Sequence, residues 1–414
     1  MRLTFLGGCR EVGKNALLLE VNDRRILLDY GVKLQPEPAE FPEVVKDVDV
    51  VFPTHAHLDH AGAIPVLFHH STPAVITTKV TIELMELLLK DFVKVMKRKG
   101  MEPRFSKENV IQVIKASHSL PYDVPVFLHG TKFVLHDSGH IPGSAYVEIV
   151  RDGKRIVYTG DIKLKSQRLV NGAKLTKEKV DVLITECTYG DKDHPERRKE
   201  EKRLKEEIDV TINQGEVVLI PSFAVARAQE LLLVLKDYRS YIAVDGMAKE
   251  ATEILLRNPS FLLAPKELRK VYGSVKRVRN QRERKRILKR KPIVISTSGM
   301  LNGGPVLYYL KRIRNRRESL LAFVGFQVEG TPGRSVLETG IYRNEETWEV
   351  NCRIRKFDFS SHAGRNELFE LIERLEPSLV VCIHGDRCEE FAKEVEERYG
   401  ITAFAPKEGE ELKL

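Results

Sequence analysis

The stretch Thr54-His55-Ala56-His57-Leu58-Asp59-His60 packs three histidines and an aspartate into six positions, just after an apolar run, Val48 to Phe52, that reads as a buried strand. His55 and His57, two apart at the end of a strand, can point to the same side of the backbone. Asp59 and His60 follow in the turn and can reach a second point in space. The pattern points to two neighbouring metal ions, one served by each pair. The alternative, a polar loop that happens to be rich in histidine, loses weight because the other ligands such a centre needs recur downstream.

A chain of 414 residues with 42% hydrophobic residues can bury a substantial core and form two or three domains. No basic-then-apolar leader precedes the first strand, and no apolar run reaches the roughly 18 residues of a membrane span, so a cytosolic location is expected. Five scattered cysteines without a CxxC pair exclude a disulfide framework and a thiolate zinc site. The net charge of +9 is concentrated: between Lys266 and Lys291 stand thirteen Lys or Arg against two Glu, a local balance of +11 that leaves the rest of the chain at −2. Lys311, Arg312, Arg314, Arg316 and Arg317 follow closely. Such a patch is the footprint expected for a polyanion such as nucleic acid, with a solvated helix face as the plain alternative.

Several β-rich runs end in chemistry-bearing residues. Ile26-Leu27-Leu28-Asp29-Tyr30-Gly31 closes a strand with a carboxylate and a glycine turn, which makes Asp29 a candidate to orient a histidine N–H. Ile156 to Tyr158 leads to Gly160-Asp161, Val182 to Thr185 to Glu186, and Leu379 to Ile383 to His384. Acidic strand ends in succession suggest one shared edge. Val110 to Ile114, Val124 to Leu128, Thr131 to His136 and Tyr146 to Val150 read as further strands. From about Asp191 strands alternate with helices, the pattern of a parallel sheet in a separate α/β unit. After about Asn351 the texture of the first lobe returns, with a strand Cys352 to Phe357, so the middle unit reads as an insertion.

Of the twelve histidines, His55, His57, His60, His140, His362 and His384 sit in contexts that favour chemistry. His140, between small residues in Ser138-Gly139-His140-Ile141-Pro142-Gly143, is preferred to His136, which falls inside a strand pattern. A mixed N and O donor set suits zinc better than magnesium, and Asp161 is the natural bridging carboxylate.

The His-x-His-x-Asp-His run, followed in order by His140 and Asp161, resembles the metallo-β-lactamase superfamily. Glu186-Cys187-Thr188-Tyr189-Gly190, Phe359-Ser360-Ser361-His362-Ala363-Gly364 and Ile383-His384-Gly385 resemble the three further motifs of its β-CASP branch. Pro221-Ser222-Phe223-Ala224, Ser298-Gly299-Met300-Leu301 and Gly330-Thr331-Pro332-Gly333-Arg334 resemble that branch's inserted domain. The resemblance implies an α/β fold, a metallo-β-lactamase αββα sandwich from residues 1–190 and 355–414 with a β-CASP α/β domain inserted at 191–354, and an active site in the groove where the lobes meet. Histidine rather than valine at the third motif implies RNA rather than DNA. The nearest likeness is to archaeal relatives of the cleavage and polyadenylation endonuclease, with RNase J as a neighbour. Since the first strand is expected from residue 3, no N-terminal KH domains are expected, and RNA must be held by the catalytic lobe and the insertion.

Carried over residue by residue, the resemblance implies one zinc on His55, His57 and His140, the other on Asp59, His60 and His384, and Asp161 between them. It implies catalysis by His362 as general acid, oriented by Glu186, with Asp59 also counted among the catalytic residues. Ser360, Ser361, Arg227 and Arg334 are candidate phosphate contacts. Cleavage is expected to be endonucleolytic, with 5′–3′ exonucleolytic action left open, on mainly single-stranded RNA by a homodimer without a membrane. The competing readings are a non-catalytic RNA-binding scaffold, a DNA nuclease of the same branch, and a small-ester hydrolase that would leave the +11 patch without a role.

Overall fold

The structure, a computed structural model, describes residues 1–35, 37–289 and 293–414. Arg290 and Lys291 of the basic segment lie outside the described residues. The chain divides into two units, one of Met1–Ser166, Val170–Asp193 and Ser361–Leu414, the other of Gln167–Leu169 and His194–Ser360.

The first unit is built on two seven-stranded sheets. One runs in the order Glu411–Lys413, Arg2–Gly7, Ala16–Val21, Arg24–Tyr30, Val50–Phe52, Ala74–Thr77, Ser117–Ser119. The other runs Thr402–Phe404, Leu379–Ile383, Val182–Glu186, Lys154–Tyr158, Ala145–Arg151, Thr131–Asp137, Pro125–Leu128. Alternation along the strands decides what each face meets. Ile156 and Tyr158, Val182 and Ile184, Val381 and Ile383 point to the shared core, where they meet Phe5, Leu17, Leu28 and Phe52 of the other sheet. Phe52 and Phe133 stack there with centroids 4.8 Å apart, a geometry that adds about 0.5–1.5 kcal/mol to area burial. The alternate residues Val157, Leu183, Val380 and Cys382 face outward and are covered by Leu368, Phe369 and Ile372 of helix Arg365–Leu375 and by Phe391 and Val395 of helix Cys388–Tyr399. On the first sheet, helix Lys79–Arg98 buries Val80, Leu84, Met85, Leu89 and Phe92. The result is the αββα sandwich expected from sequence.

Strand Leu379–Ile383 pairs in parallel with Val182–Glu186, Glu186 opposite Ile383, so the C-terminal segment completes the sheet that the first part began. The last strand likewise pairs with the first, Leu412 opposite Leu3.

The second unit carries a six-stranded sheet, Lys276–Arg277, Ile242–Asp245, Ile293–Ser296, Val218–Pro221, Leu320–Phe323, Arg353–Lys356, in which every pairing is parallel. The strand predicted at 352–357 for the returning first lobe is therefore the edge strand of this second sheet. Only pairing partners distinguish the two placements, because an edge strand of alternating Arg, Ile and Lys carries no mark of its sheet. Val110–Ile114, read as a strand, lies in helix Lys107–Lys115. Ser106 and Asn109 form a capping box at its start, and Val110 and Val113 bury one face at helical spacing. The short apolar run fits both periods, and the cap upstream decides it. Four of the five cysteines are buried and all are free thiols. Among the described residues no helix is long and apolar enough to cross a membrane.

Candidate metal centre

Nine of the predicted residues fall into three overlapping groups of donor atoms: His55, His57, His140 and Asp161; Asp59, His60 and His384; Asp161, Glu186 and His362. Asp59 and His60 lie in the short helix Leu58–Ala61 and His362 precedes helix Arg365–Leu375, while several of the others follow the end of a strand of the first unit. Val50–Phe52 delivers His55 through a short turn, Lys154–Tyr158 delivers Asp161, Val182–Glu186 ends in Glu186 itself, and Leu379–Ile383 leads into His384. His384 and Asp29 hold φ of 51° and 57°. Non-glycine residues in the left-handed region cluster at functional sites, where surrounding packing enforces the strain. Close backbone approach requires glycine beside the cluster. A Cβ on Gly31 would stand 1.7 Å from the Asp59 carbonyl oxygen, and one on Gly160 2.6 Å from Thr54 Oγ1.

In the first group, His55 Nε2 lies 3.1 Å from His57 Nδ1, and His140 Nε2 lies 3.3 Å from the same atom. Asp161 Oδ2 stands 3.4 Å from His55 Nε2 and 3.3 Å from His140 Nε2. Burial lowers the pKa of His55, His57 and His140, which keeps these imidazoles neutral, the form that binds a cation. In the second group, Asp161 Oδ1 lies 3.2 Å from both His60 Nε2 and His384 Nδ1, and Asp59 Oδ2 lies 3.5 Å from His384 Nε2. Burial lowers the His384 pKa, but Asp161 and Asp59 raise it to about 10. This end of the cluster draws positive charge strongly.

The donor set tests whether a metal fits. Asp161 Oδ1 and His384 Nε2 are buried without a hydrogen bond of sound geometry, and buried polar atoms are rarely left so. Three nitrogens with one carboxylate, beside a mixed N and O group sharing that carboxylate, is a donor chemistry zinc accepts. The residues fit a metal.

Around the donors stand residues that fix them. Asp29 Oδ2 lies 2.7 Å from His60 Nδ1 and accepts hydrogen bonds from Thr54 Oγ1 at 2.9 Å and from the Tyr158 hydroxyl at 2.7 Å. Both Glu186 oxygens lie against His362 Nδ1, at 3.1 and 2.9 Å, and Glu186 Oε1 accepts the Ile162 N–H at 2.7 Å. Burial opposes the imidazolium of His362, but Glu186 and Asp161 outweigh it and raise its pKa. His140 Nδ1 lies 3.0 Å from the Ser361 carbonyl oxygen.

Sequence reasoning missed several of these supports. Asn15 Nδ2 lies 3.1 Å from His60 Nε2. Thr188 Oγ1 lies 3.2 Å from His384 Nδ1. Buried Lys163 donates to the His362 carbonyl oxygen at 2.9 Å and pairs with buried Glu367 at 2.5 Å. Only Tyr158 carried a signal, a hydroxyl in an apolar strand that needs a partner when buried. Ser360, Arg227 and Arg334 belong to the second unit. The Ser360 N–H is taken by Asp358, Arg227 is buried in the first turn of helix Arg227–Val234, and Arg334 pairs with Glu338 at 2.5 Å.

With fold and geometry in hand, the likenesses to known proteins become specific. Residues 228–336 match the Beta-Casp domain, residues 347–406 the Zn-dependent metallo-hydrolase RNA specificity domain, and residues 1–200 the Anti-Pycsar protein Apyc1 family. The sandwich and its donor cluster define a metallo-β-lactamase hydrolase. The chain belongs to the β-CASP branch of that superfamily, as its curated relatives show. It is 38% identical to Probable RNase MJ4 of Methanocaldococcus jannaschii over the full length of both chains. It is 34% identical to RNase aCSPSF2 of Saccharolobus solfataricus, covering all of this chain and 85% of that one. Transcription termination factor FttA of Methanocaldococcus jannaschii is 35% identical over 98% of this chain and 70% of its own length. A solved protein of unknown function from Enterococcus faecalis, 17% identical, superposes with a TM-score of 0.66 over 100% of this chain and 99% of its own, and shares the fold.

Proposed function

We propose that this chain is a two-zinc ribonuclease that hydrolyses single-stranded RNA internally. The observation that carries the reading is His362, held through Nδ1 by both oxygens of Glu186 while that nitrogen stands 3.9 Å from Asp161 Oδ2. A histidine so fixed has the position of a proton donor at the rim of a metal cluster. His55, His57 and His140 would hold one ion, Asp59, His60 and His384 the other, with Asp161 shared. When bound, the ions supply Lewis acidity toward the phosphate oxygens and lower the pKa of attacking water.

The chain's own residues do the rest. Glu186, anchored by the Ile162 N–H, fixes the His362 tautomer with Nδ1–H toward the carboxylate and leaves Nε2 to face the leaving oxygen. Against burial, Glu186 and Asp161 raise the His362 pKa and so favour the protonated ring, which can hand the leaving 3′ or 5′ oxygen its proton. Asp29 holds His60 and so fixes the ring that meets the second site. Lys163 fixes the backbone carbonyl of His362 and through Glu367 ties it to the start of helix Arg365–Leu375.

RNA as substrate is supported by the RNA specificity family match and by relatives named RNases. Internal cleavage and homodimerisation follow the resemblance to the cleavage and polyadenylation endonuclease. Incubating the zinc-loaded protein with linear and circular forms of one RNA tests both the activity and its mode. Nicked circles are expected, with loss of cleavage in His57→Ala and His362→Ala, and intact circles beside digested linear RNA would replace internal cleavage by an end-dependent reaction. Light scattering at two protein concentrations reads the dimer.

A further inference from the structure

The metal centre gives RNA a place to be cut, and the second unit carries cations that the chemistry does not use. The structure sorts the basic segment by what each charge does. In helix Gln281–Lys289, Arg284 turns inward on the face of buried Ile287 and Leu288, and its Nε pairs with buried Asp245 Oδ2 at 2.6 Å. The helix's single acid, Glu283, faces Lys276 at 2.8 Å. Arg277 lies over the Tyr272 ring, Lys311 pairs with Glu346, Arg312 lies over Tyr308 and Arg314 over Trp348. Within helix Gln281–Lys289, Arg282, Lys285, Arg286 and Lys289 remain. All four are exposed, and none has a salt bridge or side-chain hydrogen bond among the described residues. Their spacing of i, i+3, i+4 and i+7 sets them in one stripe. Like charges at that spacing disfavour a helix, and a helix of nine residues is short to begin with. A polyanion laid along the stripe removes the repulsion.

A hollow of about 260 Å³ opens beside the stripe, lined by Tyr241, Lys276, Glu283 and Arg286 among others. Its volume falls below the ~300–1,000 Å³ of sites for drug-sized ligands. Tyr241 is 53% exposed, a large ring left in water just before strand Ile242–Asp245. An exposed aromatic next to a row of cations is the combination that binds single strands, since an unpaired base offers its face for stacking and a paired base does not.

We propose that helix Gln281–Lys289 and the Tyr241 hollow form an anchoring site for single-stranded RNA, with backbone phosphates along Arg282, Lys285, Arg286 and Lys289 and one base stacked on Tyr241. This rests on the reading that the chain acts on RNA. The site lies at the N-terminal edge of the second unit's sheet, where Tyr241 precedes its strand.

The test is binding of the zinc-loaded full chain to a phosphorothioate single-stranded RNA, which keeps the backbone charge and resists hydrolysis, over a range of salt. The variant R282Q/K285Q/R286Q/K289Q is expected to shrink the slope of log affinity against log salt by about 2.8, at about 0.7 per phosphate. The charge-keeping variant R282K/R286K retains the slope, which separates lost charge from lost fold. Tyr241→Ala leaves the slope alone and weakens binding on the order of tenfold to a hundredfold, while Tyr241→Phe binds as the parent does and duplex RNA is indifferent to the change. An unchanged slope in the quadruple variant, or full affinity in Tyr241→Ala, overturns the proposal, as does an acidic polypeptide that displaces the RNA at matched charge. Binding is read without cleavage. A chain that binds this way and cuts nothing refutes the ribonuclease reading alone, and one that cuts while its salt slope ignores the stripe refutes the anchoring site alone.

Discussion

Glu186 sets both carboxylate oxygens against His362 Nδ1, at 3.1 and 2.9 Å, and is itself pinned by the Ile162 N–H. The pair joins a strand end to the segment that returns after the insertion. It places His362 beside Asp161 without making it one of the seven residues whose nitrogen and oxygen donors face one another in the other two clusters.

Replacing Glu186 by Gln keeps the shape and removes the charge that raises the His362 pKa. An acid must be protonated to act, so activity falls as pH rises through its pKa. The alkaline limb of the kcat profile should therefore move to lower pH in Glu186→Gln, with kcat reduced by about 10²–10⁴-fold. A limb that stays in place would assign it to another group.

Asp29 accepts from Thr54 and Tyr158 while holding His60 Nδ1. Outer partners of a ligand histidine are worth about 10–100-fold in metal affinity. Asp29→Ala should lose zinc to a competing chelator by that factor at one of two sites. Tyr158→Phe, which leaves the Thr54 bond in place, should lose less.

Lys163 and Glu367 form a buried pair, and removing one partner strands the other. Lys163→Met should destabilise the protein by about 3 kcal/mol in chemical denaturation, the low end for a broken buried pair, because Glu367 also accepts the N–H groups of Leu164, Lys165 and Gly364. The same variant should slow cleavage more than it lowers zinc content, since the Lys163 bond goes to the His362 backbone.

Away from the site, burial raises the Glu148 pKa, but the His136 ring, Arg155 and Lys132 outweigh it and bring it to about 2. A depressed carboxylate stabilises the fold above its unfolded value of about 4.3, and that contribution is lost as pH falls toward 2. Glu148→Gln should be less stable than the parent at neutral pH and equal to it near pH 2, read from denaturation midpoints across that window.

The site was more legible than its supports for a physical reason. Metal-capable side chains at strand ends announce themselves locally, so His55 to His60, His140 and Asp161 could be assembled from spacing and order, while the role of His384 came from the family resemblance. Lys163 and Glu367, 204 positions apart in sequence, look like ordinary surface charges until the fold buries them together. Asn15 likewise acquires meaning only from His60. Sheet membership was hidden for the same reason, since nothing in Arg353–Lys356 tells which sheet will accept it, and the Val110 to Ile114 run needed its Ser106 cap to be read as helix.

The central claim is that His362 serves the reaction while the neighbouring clusters hold the metal. The measurement that tests it most directly is cleavage of a single-stranded RNA by His362→Ala and by the parent protein, each brought to two bound zinc ions per chain. The account expects equal metal content and a rate lower by at least about a hundredfold. A variant that binds two zinc ions and cuts at the parental rate would contradict it.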